Sequence, residues 1–545
     1  MKNLLLGLIL IYPILLTGQS EKGNVVLNFD KKQTSVSTNT QGALIINVSP
    51  KDVTKFKARG VVRYGDFGAK GNGKVDDINS IAATHAFANE NDLPVKADER
   101  ASYYISGQER TVIIKTDTDF GTASFIVDDT KVQNRNAPIF IVSSNLKSFK
   151  VEGVSKLKKH QKKIKATLQT ACLITVTDKT TNRYIRKGLN QNNGKAQTDI
   201  FVVDKNGKLD KNTPIIWDFN SISDITALPI DKTTLKITGG RFTTIANQAE
   251  SKYNYHQRNI IIRRSNVIVD GLEHRITGEG DHGAPYRGFI TIEDCANVTV
   301  RNTTLTGHKT YRTIGAAGKP VSMGSYDLSV RRALNVSIIN CKQTNDINDQ
   351  TYWGIMASNY SKNILYDSCV FSRFDAHMGV ANATIKNSTL GHMGINAIGS
   401  GILTLENSTI HGRTLINLRQ DYGSTWQGKF IIRNCTFAPA HSSNQLSLIG
   451  GYNDGQHDFG YTCYMPERIT IENLHIDDSK LPETYQGPNI FFNFNVDKTS
   501  DSYQEPFPYI ITKKVIMNNV TIKSGKSLRR SDNEYLFKNV KLISN

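Results

Sequence analysis

Beyond Leu16 the sequence has no apolar run long enough to cross a bilayer, because a helical span needs about 20 apolar residues. The run from Leu4 to Leu16 is itself too short. It follows Lys2 and precedes the small residues Thr17, Gly18 and Ser20, which is the layout of a secretory signal peptide. Residues 1–20 are therefore expected to be cleaved on export, leaving a soluble secreted or periplasmic chain with no membrane span. Cysteine is scarce. Cys172, Cys295, Cys341, Cys369, Cys435 and Cys463 form no CxxC pair, which argues against a zinc site and against a fold built on disulfides. Acidic residues are in deficit, 49 against 67 Lys and Arg, for a net charge of +18. Such an excess favours polyanions: nucleic acid, anionic lipid or acidic polysaccharide. No HNH-type signature is found, and Gly71-Asn72-Gly73 lacks the GK[ST] of a phosphate loop. Nucleic acid is thus supported by charge alone and is not expected as a partner.

What the sequence does have is a repeat. Two alternating aliphatics, a polar residue and then Asn, Asp or Gly recur in Val298-Thr-Val-Arg-Asn302, Val336-Ser-Ile-Ile-Asn340 and Ile364-Leu-Tyr-Asp367. Further copies end at Asn387, Asn407, Asn434, Asn473, Asn519 and Asn539, and earlier ones at Gly153, Gly239 and Gly271. Residues two before the turn (Val300, Ile338, Leu365, Ile385, Leu405, Ile432, Ile471) and three after it (Leu305, Val370, Leu390, Ile410, Phe437, Ile476) are aliphatic or aromatic. The residue just before the turn is commonly charged: Arg301, Lys386, Glu406, Arg433. Period two places the first two sets inside and the third outside, and Asn, Asp and Gly tolerate the left-handed backbone of a tight turn. Turn residues are 20 apart from Asp367 to Asn387 to Asn407, and 27 apart from Asn340 to Asp367 and from Asn407 to Asn434. Twenty residues make one short coil of a solenoid, each coil stacking roughly 4.8 Å above the last. The fold class predicted is all-β, a right-handed parallel β-helix. Cys341, Ser368, Ser388, Ser408 and Cys435 then share a position and are expected as an internal ladder of small side chains.

Ahead of the repeat, Tyr64-Gly-Asp-Phe-Gly-Ala-Lys-Gly-Asn-Gly-Lys-Val-Asp-Asp77 leads into a helical stretch, Ile78 to Asn89, with Asp77 as its N-cap. This segment resembles the N-terminal signature of the pectate-lyase-like β-helix superfamily. The resemblance implies a short helix plugging the open end of the stack, over a domain of residues 60–545 with a cap at 60–110. It says little about activity, since that superfamily holds lyases, hydrolases, epimerases and phage tailspikes. Residues 21–59 are read as a strand-rich extension, and 177–231 as a β-hairpin excursion overhanging a groove. Three stretches, Arg186-Lys-Gly-Leu-Asn-Gln-Asn-Asn193, Ser372-Arg-Phe-Asp-Ala-His377 and Asn417-Leu-Arg-Gln-Asp-Tyr-Gly-Ser-Thr-Trp426, are similar to secreted bacterial β-helix proteins, including glycosaminoglycan-degrading lyases.

Chemistry on a solenoid sits on loops and on rows of outward side chains. Counted from the turn residue, His377 is at +10, Asn396 at +9 and Asn417 at +10, so a one-residue difference stacks them, with Arg419 on the same face. Arg373 and Arg413, both at +6, form a second column. These types suit β-elimination on a uronate. The proton to be removed is a weak acid, so Arg419 neutralises the carboxylate, His377 is the base, and Tyr422 or Tyr352 protonates the leaving oxygen. Trp353 offers a sugar-stacking face, and Arg373, Asp375, Asn396, Asn417, His282, His308 and Lys309 complete a substrate-binding set. Asn396 and Asn417 fit an interior amide ladder equally well. Asp346 and Asp349, with Asn348, offer oxygen ligands for Ca²⁺, against a plain Asn/Asp turn. No other cofactor is implied. The expected function is cleavage, by a monomer, of an acidic polysaccharide such as chondroitin sulfate or hyaluronan. Two rivals stay open. A glycoside hydrolase needs two carboxylates on one groove. Asn345-Asp346, Asp375, Gly391-His-Met-Gly394 and Arg413 or Arg419 resemble polygalacturonases, but no adjacent Asp-Asp pair follows and Met393 interrupts the Gly-His-Gly motif. A non-catalytic binding solenoid would show basic and aromatic rows without converging acid and base.

Overall fold

The computed structural model describes residues 25–249, 255–280, 286–315, 318–352 and 356–544. The expected signal peptide lies outside the described residues. The chain winds into coils whose strands pair in parallel with those of the coils before and after, over 28 strands of one continuous sheet system. Each coil has three faces. Face A comprises strands such as Met378–Lys386 and Gly399–Glu406, paired Leu403 to Ala383 and Leu405 to Ile385. Face B is short, as in Thr409–Ile410, which pairs with Thr389 and Leu390. Face C runs through Ile260–Ile262, the first residues of Ile290–Arg301 and Leu328–Ile339, and on to Ser447–Gly450. Inward aliphatics from all three faces form one core. Among the described residues no helix is long and apolar enough to cross a membrane.

The turn from A to B is the expected asparagine ladder. Asn302, Asn340, Asn387, Asn407, Asn434, Asn473 and Asn519 all have φ between 47° and 54°. Each donates its Nδ2 to the side chain one coil earlier: Asn407 to Asn387 at 3.2 Å, Asn473 to Asn434 at 2.8 Å. One coil departs from the sequence reading. Its left-handed residue is Ser368 (φ 57°), not Asp367. Asp367 pairs with Ile339 instead, and its carboxylate accepts from Asn387 Nδ2 at 2.9 Å. A slip of one residue inverts a strand, so Tyr366 and Phe371 are buried while Leu365 is half-buried and Val370 is 43% exposed. The internal ladder accordingly runs Cys341, Cys369, Ser388, Ser408, Cys435, with Cys369 N donating to Ser388 Oγ and Ser388 N to Ser408 Oγ. A second ladder, at the turn from C to A, joins Asn266, Asn297, Asn335, Asn363 and Asn382 by 2.8–3.1 Å side-chain bonds.

Before the coils, three short strands and α1 (Pro50–Arg59) occupy residues 25–59. The second helix, α2 (Ile78–Asn91), buries Ile78, Ile81, Phe87 and Ala88 in the same core as the first strands. Asp77 does precede α2, but its carboxylate accepts from Lys70 N and Gly71 N rather than from the helix amides. The excursion is larger than a hairpin. Phe149–Lys150, Cys172–Arg183, Lys195–Val203 and Asp224–Pro229 form a four-stranded antiparallel sheet with its own apolar core. It leaves the coil after face C and returns before face A. It docks on that corner through Leu173 and Ile200 against Ala296 and Leu334, and through the buried pair Lys362–Asp199 at 2.8 Å.

Candidate functional site

Where the excursion meets the coils, an ionic cluster lies along the edge of face C. Asp375, fully buried, takes Arg373 Nη2 at 2.7 Å and Arg419 Nη1 at 3.1 Å on both oxygens. Arg419 also donates Nε and Nη2 to Asp421 at 3.0 and 2.8 Å. Arg186, from the excursion, reaches Asp421 at 2.7 Å and lies over the Tyr422 ring at 5.3 Å. Burial works against both carboxylates being charged, but Arg373 and Arg419 outweigh it at Asp375, and Arg419 and Arg186 at Asp421. Both are therefore held below the usual carboxylate range.

His377 stands beside this cluster, its ring edge-on to Tyr422 at 5.5 Å. Its Nδ1 lies 3.1 Å from Asn359 Oδ1. An amide oxygen only accepts, so Nδ1 carries the proton and Nε2 presents a lone pair. Burial, then the Arg419 charge, lowers this imidazole to about 3, so it is neutral across the physiological range. Tyr184, Tyr360 and Tyr461 continue the aromatic wall. Gly379, at φ 87°, leaves room for the Tyr184 hydroxyl, which a Cβ there would strike. Behind the wall a cavity of about 260 Å³ runs between the excursion and the coils, lined by Lys159, Arg183, Trp217, Tyr360, Lys362 and Tyr461. Arg183 stacks on Trp217 at 4.6 Å, and Trp217 on Tyr461 at 6.0 Å.

The structure brings His377, Arg419, Tyr422, Arg373 and Asp375 together, but not as the predicted columns. The stacked residues are Asp375, Asn396 and Asn417: Asp375 pairs with Asn396 and Asn396 with Asn417, whose Nδ2 donates to Asn396 Oδ1 at 2.8 Å. Two extra residues between Leu390 and Gly394, opposite Phe371 to Arg373, shift the register so that Asp375 rather than His377 faces Asn396. The same shift pairs Arg373 with Gly394, leaving Arg413 exposed and apart. Asn396 and Asn417 are thus an amide ladder on the half-buried outer side of the coil. Tyr352 is elsewhere: it bridges to Lys309, and its backbone N–H donates to Asp349 O. Asp346 and Asp349 accept from Asn348 N and Thr351 N at 2.9 and 2.8 Å, the local bonds of an Asn/Asp turn. His282 and Trp353 lie outside the described residues.

His308 belongs to a second, interior cluster. Its Nε2 and His274 Nδ1 both meet Asp327 Oδ1, at 3.1 and 2.7 Å, and its Nδ1 meets Glu279 at 3.1 Å. Burial opposes its charge, but Glu279 and Asp327 prevail and raise it to about 10. The polar atoms of His274, His308 and Asp327 lie within 4.8 Å of one another, but a charged His308 carries a proton on each ring nitrogen, so hydrogen bonds account for the trio. Lys309 lies on its rim, with Nζ 3.3 Å from Glu279 O. Asn359, Tyr184, Tyr360 and Asp199 were not found from sequence. Only the αL backbone of Tyr184 (φ 58°) and Tyr360 (φ 53°) marks two of them, and no residue pattern announces that.

No family model matches the chain. The capsule KL64-specific depolymerase of Klebsiella phage P510 is 31% identical over 129 residues, 20% of this chain and 12% of that protein. The chain thus spans about an eighth of the length of the curated relative it matches. Among solved structures, the Pseudomonas phage phi297 tailspike gp61 aligns with a TM-score of 0.49 at 14% identity, covering 88% of this chain and 83% of that one. The Gp54 tailspike of Acinetobacter baumannii bacteriophage AP22, solved in complex with A. baumannii capsular saccharide, gives 0.47 at 10% identity over 94% and 82%.

Proposed function

We propose that this chain is an exported lyase that cleaves an acidic, uronate-containing polysaccharide by β-elimination, with His377 as the base. The observation that carries this reading is a neutral imidazole whose Nδ1 is fixed by Asn359 and whose Nε2 lone pair is unengaged among the described residues, set against Tyr422 and a band of guanidiniums. In the reaction, Nε2 takes the proton from the carbon beside the uronate carboxylate. Those electrons form the new C=C bond, the neighbouring C–O bond breaks, and the Tyr422 hydroxyl gives its proton to the leaving oxygen. Arg419, bonded to two carboxylates, holds Asp375 and Asp421 in place rather than meeting the substrate carboxylate. A hydrolase is the weaker reading here. It needs one carboxyl kept protonated, and the carboxylates beside His377 are both held in the charged form.

The similarity of the three sequence stretches to glycosaminoglycan lyases supports a glycosaminoglycan. The depolymerase relative, over its 129 residues, supports a capsular polysaccharide. The reading also takes the winding as right-handed, α2 as closing the N-terminal end, residues 1–20 as directing export, and the protein as a monomer. The test is to incubate the protein with chondroitin sulfates, hyaluronan, heparan sulfate, pectate, alginate and bacterial capsules, following the ultraviolet absorbance of the unsaturated uronate. A rise on one of them, lost in His377→Ala, supports the lyase. New reducing ends without absorbance would refute elimination in favour of hydrolysis, and neither signal would leave a binding solenoid.

A further inference from the structure

Three coils along face C place Glu293, Arg331 and Asn359 in register, one above the other. The next coil continues with Met378, beside His377. This row therefore leads straight to the proposed base, and Asn359 is the residue that fixes the base's tautomer. Its charge is unbalanced. Glu293 is taken by Arg263 at 2.7 Å, and Asp294 by Arg332 at 2.5 and 2.7 Å. Two guanidiniums are left over. Arg287 and Arg331 are each half-buried, and among the described residues neither side chain makes a hydrogen bond or an ion pair. Burial weighs most against the Arg331 charge, the neighbouring Arg332 and Arg287 add repulsion, and Glu293 and Asp294 offset it only in part. Like charges crowded at a partly desolvated surface, with the nearby carboxylates already engaged, are costly unless an anion joins them.

The backbone beside this row is strained in the same coils. Asp294, Arg332 and Tyr360, the residues that follow Glu293, Arg331 and Asn359, sit at φ 54°, 45° and 53°, a left-handed turn repeated in three coils that bulky side chains otherwise avoid. Such outliers persist where the surroundings enforce them, and they cluster at binding sites. On the outer side, the excursion packs on Ala296 and Leu334, three residues beyond Glu293 and Arg331, so the row lies at the foot of the excursion.

We propose that Arg331, with Arg287 from the coil before it, forms an anion subsite that holds a carboxylate or sulfate group of the polysaccharide, Arg331 lying about 10 Å or two coil rises from the coil of His377. This inference rests on the polysaccharide reading of the groove but not on the lyase chemistry. A planar guanidinium takes either oxyanion through two parallel bonds.

The test is direct binding of size-defined octasaccharides to the full-length protein carrying His377→Ala, so that nothing is cleaved. One arm uses hyaluronan, which offers only carboxylates, and the other chondroitin 4-sulfate, which adds the sulfate. Adding Arg287→Ala and Arg331→Ala should weaken binding by about tenfold for each guanidinium removed and flatten its salt dependence. Lys429→Ala, an exposed lysine on face A, should change nothing. Equal weakening in both arms assigns the site to the carboxylate, and weakening confined to chondroitin 4-sulfate assigns it to the sulfate. Affinity within twofold of the parent in both arms, with an unchanged melting temperature, overturns the subsite. So does a parent that binds neither octasaccharide. Should the parent bind through these arginines while wild type yields no unsaturated product on any polymer, the lyase reading fails and the subsite stands. Should cleavage proceed with KM unaffected by the two substitutions, the subsite fails and the lyase stands.

Discussion

Replacing Asp375 by alanine is the sharpest test of how the cluster beside His377 is built. Asp375 has no exposed surface, and the side chains of its partners Arg373 and Arg419 are 4% and 13% exposed. An exposed pair such as Arg433–Glu472, at 44% and 41%, contributes about 0–1 kcal/mol. A buried pair behaves differently: removing one partner leaves the other charge desolvated, at about 3–5 kcal/mol. Arg419 keeps Asp421, whereas Arg373 loses the carboxylate 2.7 Å from its Nη2. Asp375→Ala should therefore lower the urea midpoint by about 1 M, taking a slope near 3 kcal/mol per M, while Glu472→Ala barely moves it. The loss should also depend on pH. Because Asp375 is depressed in the folded state, its contribution is present above the ordinary carboxylate range and is lost as pH falls through the folded value. Wild type and variant should therefore converge in acid. Combining Asp375→Ala with Arg373→Met should restore most of the stability. A loss below about 1 kcal/mol for Asp375→Ala at neutral pH, or no recovery in the double variant, would refute the reasoning.

Three further outcomes follow from the geometry. With His377 lowered to about 3, kcat/KM should stay level on acidification from pH 7 to about 5, where an ordinary histidine would already be protonated; a fall centred near 6.5 would contradict the buried, Arg419-facing imidazole. His308 is raised to about 10, so its contribution is complete below the ordinary histidine value and fades as pH climbs toward 10. Alkaline unfolding should consequently shift in His308→Gln, and identical alkaline profiles would count against the Glu279–His308–Asp327 arrangement. Gly379→Ala should push Tyr184 away and loosen the excursion, seen as faster proteolysis within residues 149–229 at little change in the coils; unchanged proteolysis would mean that the contact does not hold the excursion down.

The solenoid was legible because its rule is local and repeats. Aliphatics at period two and an asparagine able to adopt φ near 50° recur in most coils, so each copy reinforces the others. The rule failed where two neighbouring residues were both acceptable. Asp367 and Ser368 suit a turn equally, and the choice was made one coil away, by the pairing of Asp367 with Ile339. The second ladder is present in sequence as Asn297, Asn335, Asn363 and Asn382, each just before an apolar strand. The site was legible in part. His377, Arg373, Asp375, Arg419 and Tyr422 lie within 50 residues of one another, whereas Arg186 and Tyr184 arrive from an excursion nearly 200 residues away. Asn359 is one of many asparagines, and only the packing of its coil against His377 singles it out.

A constant rise from coil to coil also makes the molecule a graduated scale. If the anion subsite and the base are separated by two coils, their spacing cannot be tuned continuously, because inserting or deleting a coil changes it by a full step of roughly 4.8 Å. Sugar repeats of different length would then be told apart by counting coils rather than by reshaping side chains. Relatives built on the same winding could change the polymer they accept by gaining or losing a single turn of the chain between Arg331 and His377.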